Sequence, residues 1–291
     1  MKIISISKKK FEELKPLVLS KEIFNTEGNI YEFYYNGKKK VVKEFSKINT
    51  KLYTNQLYTI SALDFYKEYL PTNFCIPNCI LSVNNNYEAF GTSFVEGNNL
   101  STILNNRNIN TKEHLLYLKK IGEILQQLKN IRDNTSLKDI FLNDLHESNF
   151  IVNKHNGELT VIDLDSCKIE NNDIFPARRL TPFSLLNNVE GKYNINISDN
   201  SLGYVEPDEN TDIYCYIITI LNYLYGKNVN NMTKQEFYEY LNYLEHIKLD
   251  KNLITMFYKI LTNEQNENPL NYLDSIKEEQ VYKAKEYIYK K

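Results

Sequence analysis

The clearest early pattern in the chain is an alternation of apolar and polar positions. Residues 22 to 45, EIFNTEGNIYEFYYNGKKKVVKEF, hold three runs rich in β-branched and aromatic side chains, divided by Glu27-Gly28-Asn29 and by Asn36-Gly37. Asn-Gly between two such runs signals a two-residue hairpin, because both turn positions need positive φ. An antiparallel meander is expected. From 49 to 69 the period lengthens: Leu52, Leu57, Ile60, Leu63 and Tyr66 recur at helical spacing until Pro71. Two further strands are predicted at 76–83 and 88–95, around the polar turn Asn84-Asn85-Asn86. The first 96 residues thus read as a five-stranded antiparallel sheet with one helix.

After Glu96-Gly97-Asn98-Asn99 the pattern changes. A short helix is expected at 100–104, capped by either Asn99 or Ser101, and a long amphipathic one at 111–131. For the latter, Thr111 is the expected N-cap, with Glu113 well placed for the helix dipole. A strand ending at 142, strands at 150–152 and 159–162, and a loop-rich stretch at 166–211 follow. The almost wholly apolar run at 212–225, ended by Gly226, is a buried helix, not a cofactor box. Helices near 233–247, 251–262 and 275–289 complete the pattern. The fold class is α+β, with residues 1–96 as a sheet-bearing unit and 97–291 as a larger, mainly helical one.

Composition narrows the partners. The 291 residues are 42% hydrophobic and 25% charged, enough for a sizeable core. With 35 basic and 37 acidic residues, the net charge of −2 creates no field that favours nucleic acid or an anionic membrane surface. The opening MKIISISKKKFEELK puts its lysines after a brief apolar run, the reverse of a secretory signal, so a cytoplasmic protein is expected. Four cysteines in such a chain make no disulfide framework, and no His or second Cys pair completes a zinc pattern with Cys75 and Cys79.

Chemistry concentrates in residues 142 to 165, LNDLHESNFIVNKHNGELTVIDLD. A carboxylate at Asp144 can orient or accept a hydroxyl proton. The amide of Asn149 and the carboxylate of Asp163 are hard oxygen donors of the kind Mg²⁺ takes when it shares a site with phosphates. Such an arrangement suits phosphoryl transfer, in which the protein positions groups and neutralises charge.

Asp144-Leu145-His146 with Asn149, followed by Val161-Ile162-Asp163, resembles the catalytic and metal-binding loops of the protein-kinase-like superfamily. Upstream, Val41-Val42-Lys43 resembles that superfamily's lysine strand. The resemblance runs over most of the chain and implies a bilobal kinase-like fold. It also implies an ATP- and Mg²⁺-dependent transfer of the γ-phosphate to a hydroxyl. By it, Asp144 is the catalytic base with His146 beside it, Lys43 holds the α- and β-phosphates, and Asn149 and Asp163 ligate Mg²⁺. Phe90-Gly91-Thr92-Ser93-Phe94-Val95-Glu96-Gly97 resembles the gatekeeper and hinge. Thr92 then lies beside the nucleotide, and the backbone of Ser93 and Val95 meets the adenine. Gly28 becomes the one permissive glycine covering the phosphates. Asp212 resembles the aspartate that tethers the catalytic loop from the central helix, a structural role.

The departures carry information too. Leu142 and Asn143 stand in place of His-Arg, and the D-L-H-x-x-N form is closer to aminoglycoside and choline kinases. Asp163-Leu164-Asp165 replaces D-F-G, while the long 166–211 segment, with Arg178 and Arg179, is closer to protein kinases. The helix at 49–69 has no early Glu for Lys43; Gln56 and Asp64 are the nearest candidates, and both stay open. Taken singly, Lys43 reads as a solvated strand lysine, Asp144 and Asn149 as turn residues and His146 as a packed imidazole. Their ordered occurrence with Asp163 and Asp212 carries the expectation. Three functions are compatible with it: a protein serine/threonine kinase, a small-molecule kinase, and a nucleotide-binding interaction module without turnover.

Overall fold

The computed structural model describes residues 1–16, 29–46, 50–170, 207–262, 264 and 266–289. The first run of the expected meander, Gly28, Arg178 and Arg179 and residues 171–206 of the 166–211 segment lie outside the described residues. The architecture is α+β, and no described helix is long and apolar enough to cross a membrane.

The N-terminal sheet is built from β1 (Lys2–Ile6), β2 (Lys15–Pro16), β3 (Ile30–Tyr35), β4 (Lys38–Glu44), β5 (Cys79–Val83) and β6 (Asn86–Ser93). Their order is β1-β5-β6-β4-β3-β2. All neighbours are antiparallel except β1, which runs parallel to β5 with Ile4 opposite Leu81. The sheet is therefore six-stranded and mixed, not five-stranded and antiparallel. The strands missed by pattern are Lys2–Ile6, whose pairing is long-range and leaves no local trace, and the two-residue Lys15–Pro16, which is too short to show a period.

Both expected turns form, with left-handed φ at Asn36 and Gly37 and at Asn84 and Asn85. Strand alternation then divides the sheet's side chains between two covers. Ile4, Phe33, Val42, Cys79 and Leu81 meet Phe11 and Leu14, on and just after α1 (Lys8–Glu12). Phe45, Ile80 and Phe90 meet Ile60 of α2 (Lys51–Phe65), which Thr50 caps by accepting from the Tyr53 N–H. Covered on both faces, β5 is buried at every position.

The remainder surrounds one large apolar cluster. After β7 (Gly97–Asn99) come α3 (Leu100–Asn105) and α4 (Thr111–Asn134). Asn99 caps α3, and Asn110, not Thr111, caps α4 by accepting from the Glu113 N–H at 2.8 Å. Next come β8 (Ile140–Phe141), β9 (Phe150–Asn153), β10 (Leu159–Val161) and β11 (Lys168–Ile169). The expected single hairpin, β9 with β10, gains β7 as a third strand, and β8 pairs with β11. Helix α5 (Glu209–Tyr225) starts a turn before Asp212 because Asp208 and Thr211 form a capping box. Buried almost all round, it is the core of this part, with α6 (Lys234–His246), α7 (Lys251–Thr262) and α8 (Glu278–Glu286) around it.

One segment ties the sheet to the small strands. Between α2 and β5, the Cys75 N–H donates to the Val161 carbonyl at 2.8 Å, and the Val161 N–H donates to the Asn73 carbonyl at 2.9 Å. These bonds fix β10, and thereby the residues that follow it, relative to β4 and α2.

Candidate functional site

Lys43 starts from strand geometry. Val42 is fully buried on one face of the sheet, so the next residue on β4 projects from the other face, the one under α2. There the Lys43 ammonium donates to Asp163 Oδ1 at 2.6 Å and to Asp165 Oδ1 at 3.0 Å. Its side chain is 13% exposed. Burial opposes the lysine's charge, but Asp165 and Asp163 outweigh it and hold its pKa above the usual lysine value.

Both carboxylates sit just past β10. Asp163 has φ 60 and ψ 50, a left-handed backbone that Asp tolerates better than most residues and that still costs about 1 kcal/mol. The kink turns the chain into a short 3₁₀ segment, Leu164–Ser166, and brings Asp165 to the same ammonium. The two acids differ in environment. For Asp163 burial acts upward and Lys43 more than reverses it, leaving the pKa below the ordinary carboxylate value. For Asp165, 4% exposed, burial and the adjacent Asp163 charge push the pKa upward. One cation therefore faces two carboxylates, of which Asp163 is the more firmly ionised.

The helix partner left open between Gln56 and Asp64 is Gln56. Its Nε2 donates to Asp165 Oδ2 at 3.0 Å, and its Oε1 accepts the Ser46 N–H at 2.9 Å. Asp64 is occupied elsewhere, by the N-terminal amine and Lys67.

Asp144, His146 and Asn149 form a second group. Asn149 Nδ2 donates to the Asp144 carbonyl at 2.9 Å and reaches Asp144 Oδ2 at 3.4 Å. The amide nitrogen is thus turned toward Asp144, which leaves the carbonyl end of Asn149 as the donor atom for a cation. His146 Nδ1 accepts the Ser148 N–H at 3.2 Å, which assigns the ring proton to Nε2. That nitrogen lies 3.6 Å from Asp144 Oδ2. The Ile162 N–H donates to the Asn149 carbonyl at 2.9 Å, joining this loop to the residue before Asp163.

The loop is held from below. Asp212 Oδ2 accepts the Leu142 N–H at 2.8 Å and its Oδ1 accepts the Asn143 N–H at 2.9 Å. Asn143 is itself left-handed at φ 62, and its Nδ2 donates to the Ser166 carbonyl. A carboxylate that accepts two successive N–H groups fixes this turn, and with it the direction in which Asp144 leaves. Burial pushes Asp212 up to about 7, against those two hydrogen bonds and Arg132.

The expected hinge residues lie at the end of β6. Thr92 opposes Val41 and Phe90 opposes Lys43, so strand register puts Thr92 on the Lys43 face. Ser93 is more engaged than expected: its carbonyl accepts the Cys75 thiol at 3.3 Å and its hydroxyl accepts Asn78 Nδ2 at 3.1 Å. Val95 is half-buried in the stretch between β6 and β7, and Gly28 lies outside the described residues.

The sequence names Asp165 and Gln56 without giving their roles at Lys43. Asp165 had a visible signal, its spacing of two from Asp163, but only the left-handed turn at Asp163 shows why both acids meet Lys43. Gln56 was one of two candidates, and choosing it required the α2 packing. As to a metal, no group of three or more His, Cys, Asp or Glu among the described residues could hold one alone. The oxygens of Asn149 and Asp163 suit a hard cation that takes its other ligands from phosphate and water, which is how Mg²⁺ is usually bound. No protein-family model matches the chain, and no curated protein matches it.

Proposed function

We propose that the chain is an ATP- and Mg²⁺-dependent phosphotransferase of protein-kinase-like, bilobal fold that transfers a γ-phosphoryl group to a hydroxyl. The observation that carries the reading is the meeting of Lys43 with Asp163 at 2.6 Å, beside a loop bearing Asp144 and Asn149. Residues 120 apart in sequence converge there from a sheet and from the turn after a hairpin. A merely structural lysine would not require a second acid and a left-handed backbone.

In this reading Lys43 binds the α- and β-phosphates, with Thr92 on the same face of the sheet. Asp163 and the side-chain oxygen of Asn149 would hold Mg²⁺, which when bound supplies charge neutralisation on the phosphates. Asp144 orients the acceptor hydroxyl and takes its proton, while His146 and Asn149 fix the direction of that carboxylate. Catalysis would rest on positioning and charge, as phosphoryl transfer demands. The acceptor we favour is a serine or threonine hydroxyl of a protein, on the strength of the long 166–211 segment of the sequence.

Thermal unfolding tests the reading, since a ligand that binds only the native state raises the midpoint. Wild type should shift only with ATP and Mg²⁺ together, and Asp163→Asn should lose the shift. No shift of wild type at millimolar ligand would overturn it.

A further inference from the structure

We propose that Asp165 is the positioning residue for Lys43: it keeps the ammonium aimed at the phosphates when Asp163 serves the cation, and Gln56 is the strut that holds it. This inference rests on the nucleotide reading of the site and names how that site is assembled.

The first support is the difference between the two acids on Lys43. Asp163 is 33% exposed, whereas Asp165 is 4% exposed. The outer carboxylate is the one an incoming cation can reach. The inner one has both oxygens engaged, Oδ1 by Lys43 and Oδ2 by Gln56 Nε2. Gln56 is anchored in turn by the Ser46 N–H, two residues past the end of β4. Backbone, Gln56, Asp165 and Lys43 thus form a closed chain of hydrogen bonds that returns to the strand it started from.

A second support is charge. One ammonium faces two acids, so Lys43 keeps a partner in Asp165 when a divalent cation takes Asp163. Without Asp165, Lys43 and that cation would compete for the same carboxylate.

The third is the composition of α2. In KLYTNQLYTISALDF the sole acid is Asp64, which pairs with the N-terminal amine and Lys67. The helix therefore offers Lys43 no carboxylate, and its contribution is the neutral amide of Gln56. Lys43 is held by the segment that also carries Asp163, so the two phosphate-directed groups are set by one turn.

The test measures ATP affinity as a function of Mg²⁺ concentration for wild type, Asp165→Asn, Gln56→Leu and the exchanged pair Gln56→Glu with Asp165→Asn. Asp165→Asn should raise the Mg²⁺ requirement about tenfold, as loss of a group supporting a metal ligand does. Gln56→Leu keeps every charge and should move the requirement the same way by a smaller factor. The exchanged pair keeps the Ser46 acceptor, one acid and one amide, and should recover most of the loss. A wild-type Mg²⁺ requirement in both Asp165→Asn and Gln56→Leu would overturn the inference, as would an exchanged pair no better than Asp165→Asn alone. If wild type binds no ATP with Mg²⁺, the nucleotide reading falls and this inference with it. If wild type binds and the variants match it, this inference alone falls.

Discussion

Lys43 and Asp163 are 120 residues apart in sequence and 2.6 Å apart in space, and a second acid, Asp165, reaches the same ammonium at 3.0 Å. Two acids held so closely, one of them nearly buried, depend on the lysine for their compensating charge. Breaking such a pair leaves a buried charge uncompensated, which costs far more than loss of a surface ion pair. Lys43→Met should therefore lower stability by about 3 kcal/mol as well as remove ATP binding. Adding Asp165→Asn to Lys43→Met should recover part of that stability, since one of two facing carboxylates is then neutral. Urea denaturation of the two single variants and the double measures the coupling, and strict additivity would contradict it.

Asp144 should separate binding from chemistry. Its proposed work is at the acceptor hydroxyl, and its carboxylate faces His146 and Asn149. Asp144→Ala should leave Mg²⁺-dependent ATP affinity near wild type while lowering transfer about 10²- to 10⁴-fold, the usual worth of a general base. Titration calorimetry with ATP, alongside phosphate transfer to a mixed acceptor panel, reads the two effects. Transfer at the wild-type rate would remove Asp144 from the mechanism.

Much of this arrangement was visible in the sequence because local rules govern it. Asn36-Gly37 and Asn84-Asn85 mark turns by their need for positive φ, and the gap between Asp144 and Asn149 is bridged within one short loop. Helices α2 and α4 through α7 follow from apolar spacing. What escaped depends on distant partners. Lys2–Ile6 is a strand only because Cys79–Val83 accepts it in parallel. Thr111 reads as a good cap, yet Asn110 takes that place, one residue earlier than composition suggests. Asp165 meets Lys43 through a backbone conformation at Asp163 that no periodicity encodes.

Asp212 gives a pH prediction. Burial raises its pKa to about 7, above the value near 4 expected of an unfolded chain. Between these values the folded protein keeps a proton that the unfolded chain releases, so this group's stabilisation is present in acid and is lost as pH rises through about 7. Asp212→Asn also loses one acceptor for the Leu142 and Asn143 N–H groups, so the variant should be less stable throughout. The gap between wild type and variant should narrow by about 2 kcal/mol from pH 5 to pH 8. Urea titrations at both pH values measure it. A gap that widens above pH 7 would mean that the two N–H groups and Arg132 outweigh burial.

Gly97 sits where β7 passes closest to β9. A Cβ built on it would lie 2.1 Å from the Val152 carbonyl oxygen and 2.8 Å from Ile151 Cγ2. The nearer atom belongs to the backbone of a strand that Gly97 itself pairs near, opposite Asn153, so no side-chain rotation can relieve the clash. The strands must separate. That would strain the β9–β10 hairpin that leads from Asn149 to Asp163, and loosen Asn99, whose Nδ2 donates to the Ser148 carbonyl in the same loop. Gly97→Ala should therefore cost about 2 kcal/mol or more, in the range of overpacked core sites. It should also weaken Mg²⁺-dependent ATP binding, although Gly97 touches none of the charged residues. Gly37→Ala is the control: its Cβ would meet nothing within 4 Å, and its cost comes from a left-handed φ of 73 alone. Thermal unfolding of both variants, with and without ATP and Mg²⁺, separates the two. Loss of the ligand-induced shift in Gly97→Ala but not in Gly37→Ala would tie the β7–β9 contact to the geometry of the site, and equal shifts in both would sever it.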